Sequence, residues 1–355
     1  MNHWKWMKYL LAFLAPAGVL AGMVMGGWVP FIPLGFAFVL IPFLELIINP
    51  DPRNADEAEA ELRSKAPVYD FLLYLLLPVQ YLILYLFLDG IANDNLVVII
   101  GKTLSMGLLC GIVGINLGHE LGHRSGHKDL VFAKLFLLSS LYMHFYIEHN
   151  RGHHKRVGTH LDPASARFGE SIYFFWIRSI SGSYLSAWKL EYDRLKSKGH
   201  TPFSIRNEMV QIHGIELLFL ALILFHFGLK SLILFMTASL LGILLLESVN
   251  YIEHYGLGRR IREDGSFVKT LHCHSWNSDH VLSRILLFEL SRHSDHHYKA
   301  SKKYQVLNHH DESPQMPTGY AGMIILALIP PLWYRVMHPI LNHEQQRFPD
   351  LVKAM

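Results

Sequence analysis

The sequence predicts an all-α integral membrane protein, with six transmembrane helices and a histidine-rich metal region on one membrane face. Three observations carry this reading. Hydrophobic residues make up 51% of the 355 residues and charged ones only 17%, where a soluble domain carries about a quarter. Long apolar runs recur along the chain. Sixteen of the 23 histidines fall in two stretches, 119–160 and 272–310.

The apolar runs lie at about 10–26, 28–48, 69–88, 96–117, 214–228 and 232–250. A spanning helix needs about 20 mostly apolar residues, fewer in a thin bilayer. The first run follows Lys5 and Lys8 as a secretory leader would. A second run comes almost at once through Gly26-Gly27-Trp28, so the pair reads as a helical hairpin. Residues 131–147 form a shorter run expected to pack beneath the membrane. Residues 320–333, broken by Pro330-Pro331, read as an interfacial or docked helix. The whole chain, 1–355, reads as one membrane domain, with histidine regions at 119–210 and 251–355. The two cysteines, Cys110 and Cys273, form no CxxC pair, which excludes a built-in zinc ribbon or rubredoxin-type iron site. The net charge of +3 says little about partners, and no nucleic-acid partner is expected.

Positive charge orients the bundle. Lys5, Lys8, Arg53, Arg63, Lys65, Arg124 and Lys128 flank one set of helix ends, whereas the opposite turns hold Lys230 and, nearby, Lys102. Both termini and every histidine motif then face the cytoplasm.

Four motifs carry the candidate chemistry. His119-Glu120-Leu121-Gly122-His123 closes the fourth run, and positions i and i+4 share a helix face. The same string is HExxH, in which a zinc protease uses the glutamate as general base, but that leaves the other clusters unexplained. In Glu148-His149-Asn150-Arg151-Gly152-His153-His154, His149 and His153 share a face while His154 points about 100° away. His254 ends the sixth run within Asn250–Leu257; alone it reads as a cap. In Arg292–His297, His293 shares a face with His296 or His297 and the remaining ring points elsewhere. Neutral imidazole offers a lone pair and suits Fe, Zn, Cu and Ni. Nine such rings exceed one ion's capacity, so two transition-metal ions are expected. Helix faces alone do not divide the nine between them.

Nine neutral ligands leave the metal charge unbalanced. A ligand histidine usually donates its second nitrogen to a carboxylate or carbonyl. Eight acids are candidates: Glu120, Glu148, Asp162, Glu170, Glu253, Glu263, Asp279 and Asp295. At least three are expected on a ligand ring, each serving another cluster's histidine. His127, His144, His160, His272, His274 and His280 are near enough to join them. His309 and His310 read as surface groups, and His3, His200, His213, His226, His338 and His343 as ordinary loop or packing residues.

His119–Arg124, Glu148–His154, Asn250–Leu257 and Arg292–His297 together resemble the membrane-bound alkane 1-monooxygenases, the AlkB-type hydroxylases. Leu161–Arg167, Gly169–Tyr173, His274–Ser278 and Pro317–Tyr320 also look like that family. NYIEHYGL at 250–257 is the specific part, since the histidine boxes are shared with desaturases, sterol-modifying oxidases and xylene monooxygenases. HELGHR replaces the more usual HELGHK. The resemblance implies two Fe ions in a non-haem di-iron site at the cytoplasmic boundary of a bacterial inner membrane. It implies O2-dependent terminal hydroxylation of n-alkanes with electrons from rubredoxin, itself served by a rubredoxin reductase. Residue by residue, the implied ligands are His119, His123, His149, His153, His154, His254, His293, His296 and His297.

Physical chemistry fits that class. An alkane has no acid, base or dipole for a side chain to grip, so a metal centre must supply the oxidising power. The substrate concentrates among membrane lipids and meets a site at the mouth of the bundle. No flavin or haem motif is present, so electrons come from outside. Arg259, Arg260, Arg262, Lys299, Lys302 and Lys303 are candidates to steer an acidic carrier. The alternative is a related di-iron hydroxylase or desaturase acting on a xylene methyl group or an acyl chain. A histidine-rich metal transporter would instead spread its ligands through the membrane depth.

Overall fold

Glycine decides how closely the helices of this bundle approach. The computed structural model describes residues 4–354, so His3 lies outside the described residues. Among them, Lys5–Met25, Pro67–Asn93, Leu96–Gly122 and Glu208–His254 are long and apolar enough to cross a membrane. Val29–Glu45, within the run expected over 28–48, is apolar but shorter. Gly22 lies against the Pro30 backbone and Gly18 against Pro33, so 5–25 and 29–45 do fold as a hairpin.

The 47-residue run Glu208–His254 is not straight. Gly228 sits inside it with φ 78° and ψ 173°, a conformation that favours glycine. The rings of Phe219 and Phe235 are 5.9 Å apart, whereas a continuous helix would separate these positions by about 24 Å. The run is therefore a second hairpin, matching the break expected between 214–228 and 232–250. Its first arm begins at Glu208, earlier than the apolar pattern alone suggests, capped by Asn207 Oδ1.

Leu96–Gly122 is the central element. Gly107 and Gly111 lie against Leu241 and Leu245 of the hairpin's second arm, and Gly242 returns the contact at Cys110 and Gly111. Small residues let helices approach closely where lipid offers no hydrophobic drive. On another face Gly114 meets Ser140 and Gly118 meets Leu137, which seats the short helix His127–Leu138. A π-helical turn over Cys110–Ile115 lies just before the histidines. Such turns, with i→i+5 bonding, concentrate at functional sites.

Two features depart from the sequence expectation. The amphipathic helix Ile172–Ser197 has 26 residues and packs on the hairpin through Trp176–Ser248 and Ser179–Glu247 hydrogen bonds. Its apolar residues alternate with charged ones, so no hydropathy run announced it. The fold is also not wholly helical: Leu257–Arg259 pairs antiparallel with Leu351–Lys353, tying the chain's end beneath the site. At 320–333 the expected break occurs, with one helix ending at Ala327 and the next beginning at Pro330.

Candidate metal centre

Four helix ends deliver the histidines to one place. His119 and His123 close Leu96–Gly122, and His254 is the last residue of the hairpin. His149–His154 lie in a π turn that runs into a short α turn. His293, His296 and His297 occupy the six-residue helix His293–Tyr298.

The nine rings form two groups. His119, His123, His149, His154 and His296 bring one donor atom each within 4.8 Å of one another; His153, His254, His293 and His297 do the same. In the first group Nε2 of His119 is 3.0 Å from that of His296, His149 is 3.0 Å from His154, and His154 is 3.1 Å from His296. In the second, His153 to His297 and His254 to His293 are each 3.2 Å. His123 Nε2 is buried without a hydrogen-bond partner among the described residues. Lone-pair nitrogens crowd like this when ligands surround one ion. With bonds of about 2.0–2.2 Å, as imidazole makes to such ions, adjacent donors lie about 3 Å apart. The donor set fits two transition-metal ions, which five and four imidazoles would hold.

The division corrects one expectation. His149 and His153 do not serve the same group; His149 pairs with His154. The cause is the π turn His149–His153, which replaces the i, i+4 register with i, i+5. His293 and His297 share a group and His296 turns to the other, which resolves the alternative left open by helix geometry.

Burial keeps the rings neutral. Desolvation, then neighbouring imidazoles, holds His149, His154, His293 and His297 well below the ordinary histidine range. Burial and His153 bring His296 to about 3. His153 is the exception: burial lowers its affinity for a proton, but the Asp162 carboxylate outweighs that and raises it.

Of the eight acids, two reach a ligand ring rather than the expected three. Asp162 Oδ2 accepts from His153 Nδ1 at 2.8 Å. Glu253 Oε2 lies 3.2 Å from His293 Nε2, and its other oxygen accepts from Tyr320 at 2.6 Å. The others have different partners. Glu120 takes Arg124 and the Tyr304 amide, so it is not poised as a protease base. Glu148 takes Arg156 and Ser186, Glu170 takes Arg178, and Asp279 takes His309 and Arg292. Asp295 takes Lys302, Asn308 and His310. Glu263 is exposed. None of His127, His144, His160, His272, His274 or His280 hydrogen-bonds a ligand ring among the described residues. His144 instead packs on Tyr142 and Tyr184, and His274 binds backbone at Leu271 and Asp350.

The six candidate docking cations also separate. Arg259 is buried, its guanidinium spent on the Val268 and Lys155 carbonyls, so it is no surface steering group. Lys302 pairs with Asp295 and Lys303 with Asp70. Arg260, Arg262 and Lys299 are exposed.

Sequence reasoning missed the approach to the metals. Asn116, Phe145, Leu246, Val249 and Leu290 line a small chamber of about 20 Å³ that touches His119, His149 and His293. Val249 also lines a larger apolar cavity of about 90 Å³, walled by Ala15, Phe38, Ile112, Leu245 and Ile324. Asn116 was findable, since it stands three residues before His119 on the same face; the cavity needs helices distant in sequence.

Comparison with known proteins agrees with this geometry. The profile of the fatty acid desaturase family matches residues 94–327. Alkane 1-monooxygenase 2 of Pseudomonas aeruginosa is 40% identical over 344 residues, covering 95% of this chain and 91% of that protein. Alkane 1-monooxygenase 2 of Alcanivorax borkumensis is 38% identical, covering 96% and 89%. The hydroxylase component of a Pseudomonas putida xylene/toluene monooxygenase is 28% identical, covering 96% and 90%.

Proposed function

We propose that this chain, which belongs to the fatty acid desaturase family and to its alkane 1-monooxygenase branch, is a non-haem di-iron enzyme that hydroxylates the terminal carbon of n-alkanes. The overall change is R–CH3 + O2 + 2 e⁻ + 2 H⁺ to R–CH2OH + H2O. The observation that carries this reading is the union of two largely buried imidazole groups with an apolar cavity that shares Val249 with the chamber touching His119, His149 and His293.

Iron held by the nine histidines would supply the O2 activation that an unactivated C–H bond requires. The protein's residues do the rest. Ala15, Phe38, Ile112, Leu245, Val249 and Ile324 hold the alkyl chain by burial and keep water from the reacting end. Asp162 fixes the His153 ring through Nδ1. Glu253 supplies negative charge beside the four-imidazole group, and its Oε1 holds the Tyr320 hydroxyl proton.

Six spans are part of this proposal: the four long apolar helices, with the Gly228 hairpin counted as two, and Val29–Glu45. Charge bias supports a cytoplasmic site; a bacterial inner membrane and a single domain over 1–355 are parts of the same proposal that follow from the family. Lys102 and Lys230, bound to Asp94 and the Ala92 carbonyl, mark the opposite end. Electrons come from rubredoxin, reduced by its reductase, with Arg260, Arg262 and Lys299 as the exposed cations available to an acidic carrier.

Purified protein loaded with iron and supplied with NADH, rubredoxin, its reductase and alkanes of graded length tests this. Terminal alcohols with matched O2 uptake are expected. Product only from xylene or an acyl thioester would replace the alkane reading, and iron binding without substrate-dependent O2 uptake would end it.

A further inference from the structure

A third group of ligand-type side chains lies apart from the nine. His272 comes from the turn His272–His274, Asp295 from the helix His293–Tyr298, and His310 from the loop after it. Their donor atoms all lie within 4.8 Å of one another, the same closeness that defines the two histidine groups. His310 Nε2 is 3.1 Å from Asp295 Oδ1, and His272 Nε2 is 4.0 Å from that same oxygen.

The geometry has the marks of a coordination site. His272 Nε2 is enclosed and has no hydrogen-bond partner among the described residues, and such groups ordinarily find one. The two imidazoles stack, 3.7 Å apart and inclined by 16°, with both Nε2 atoms on the side of one carboxylate oxygen, so the half-exposed His310 ring must turn for the two in-plane lone pairs to meet on one ion. Around a tetrahedral ion with bonds of about 2.0–2.1 Å, donor atoms lie about 3.3 Å apart. The observed 3.1 and 4.0 Å bracket that spacing. Asp295 Oδ2 is engaged by Lys302 at 2.5 Å and the Asn308 amide at 2.7 Å, which leaves Oδ1 toward the rings. The Lys302 charge opposes a cation, and the Glu312 carboxylate, close enough to act on His272, partly offsets it.

We propose that His272, Asp295 and His310 form a third metal site, separate from the nine-histidine centre, for a divalent ion of the Zn²⁺ class. Two imidazoles and one carboxylate oxygen suit such an ion and leave a fourth position for water. The His272 and His310 side chains are 16% and 27% exposed, so the ion enters from solvent, whereas seven of the nine rings are buried and only His123 and His154 are half-buried. Asp295 adjoins His296. An ion there ties the segments bearing His272 and His310 to the helix that carries three of the nine rings.

The experiment uses full-length protein in detergent, loaded with iron, exposed to Zn²⁺ and desalted, with iron and zinc counted per chain. Wild type is expected to keep one zinc beside its iron. His272→Ala and His310→Ala should each weaken zinc binding at least tenfold with the iron count unchanged. His309→Ala, next door but bound to Asp279, should keep the zinc. Zinc-edge X-ray absorption on the wild type gives a second readout that needs no variant: a shell of two imidazoles and light oxygen donors is expected. No retained zinc, zinc held equally by the alanine variants, or a shell of four or five imidazoles would each overturn the site. The last result would mean zinc in the nine-histidine centre, and wild type that binds no iron at all would sink the di-iron reading instead.

Discussion

Glu253 Oε2 stands 3.2 Å from His293 Nε2, the nitrogen that itself faces His254 Nε2 at 3.2 Å. The carboxylate therefore lies on the donor side of the ring, where an ion would sit, rather than behind it. It is fully buried and, among the described residues, accepts a hydrogen bond from Tyr320 alone. A buried anion without a cationic partner is costly, and two divalent ions among neutral ligands are the complementary charge. Replacing Glu253 with Gln keeps the shape and removes the charge. Iron affinity should fall about 10–100-fold, in line with other groups around metal ligands. Iron retained after a graded chelator wash measures this, and wild-type retention in E253Q would show that the charge is balanced elsewhere.

Asp162 acts from the other side of a ligand. It accepts from His153 Nδ1 at 2.8 Å and from Ser165 at 2.6 Å, so it sets which nitrogen of His153 carries the proton and which faces the metal. Asp162→Asn should lower iron affinity or turnover about 10–100-fold, while Glu263→Gln, an exposed acid of the same sequence class, should change neither. Equal behaviour of the two variants would remove Asp162 from the centre.

The nine ring positions were legible because three of the four motifs space their histidines tightly. Their partition was not, because it depends on the π turn at His149–His153, which shifts the register by one residue. The carboxylates were half legible. Asp162 and Glu253 have no arginine partner among the described residues and meet imidazole and hydroxyl groups instead, whereas Glu120, Glu148, Glu170 and Asp279 are drawn off by Arg124, Arg156, Arg178 and Arg292. The Glu120–Arg124 pair is an i, i+4 spacing readable on a helix; the other three link positions whose proximity only packing reveals. The Gly228 reversal was readable as a gap in hydropathy; the 26-residue helix Ile172–Ser197 was not, since half its surface is polar.

Cavity depth should set which alkanes react. Ala15 lines the large cavity but not the chamber over the histidines, so a bulky side chain there shortens the space without touching the metals. Each methylene that can no longer be buried costs about 0.8 kcal/mol, close to fourfold in binding. Ala15→Phe should therefore cut hydroxylation of hexadecane far more than that of octane, read as the ratio of the two alcohols in competition. A ratio equal to wild type would place the alkyl chain elsewhere.

The N-terminal helix is locked to the loop before His293 by one buried carboxylate. Glu289 binds Lys8 and Tyr9 at 2.7 Å each and Arg284 at 2.6 Å. Burial pushes the Glu289 carboxyl up, but Lys8, Arg284 and Arg292 overcome it and hold it at about 2, against an ordinary 4.5. The folded value lies below the unfolded one, so this group's stabilisation is complete above about pH 4.5 and is lost as pH falls toward 2. A shift of that size corresponds to about 3 kcal/mol. Glu289→Gln retains the shape and the left-handed backbone, φ 58°, but cannot ionise. Melting temperatures in detergent should show wild type well above the variant at pH 7, with the gap closing as pH drops from 5 toward 3. A gap that does not narrow over that range would mean that Glu289 contributes packing rather than charge.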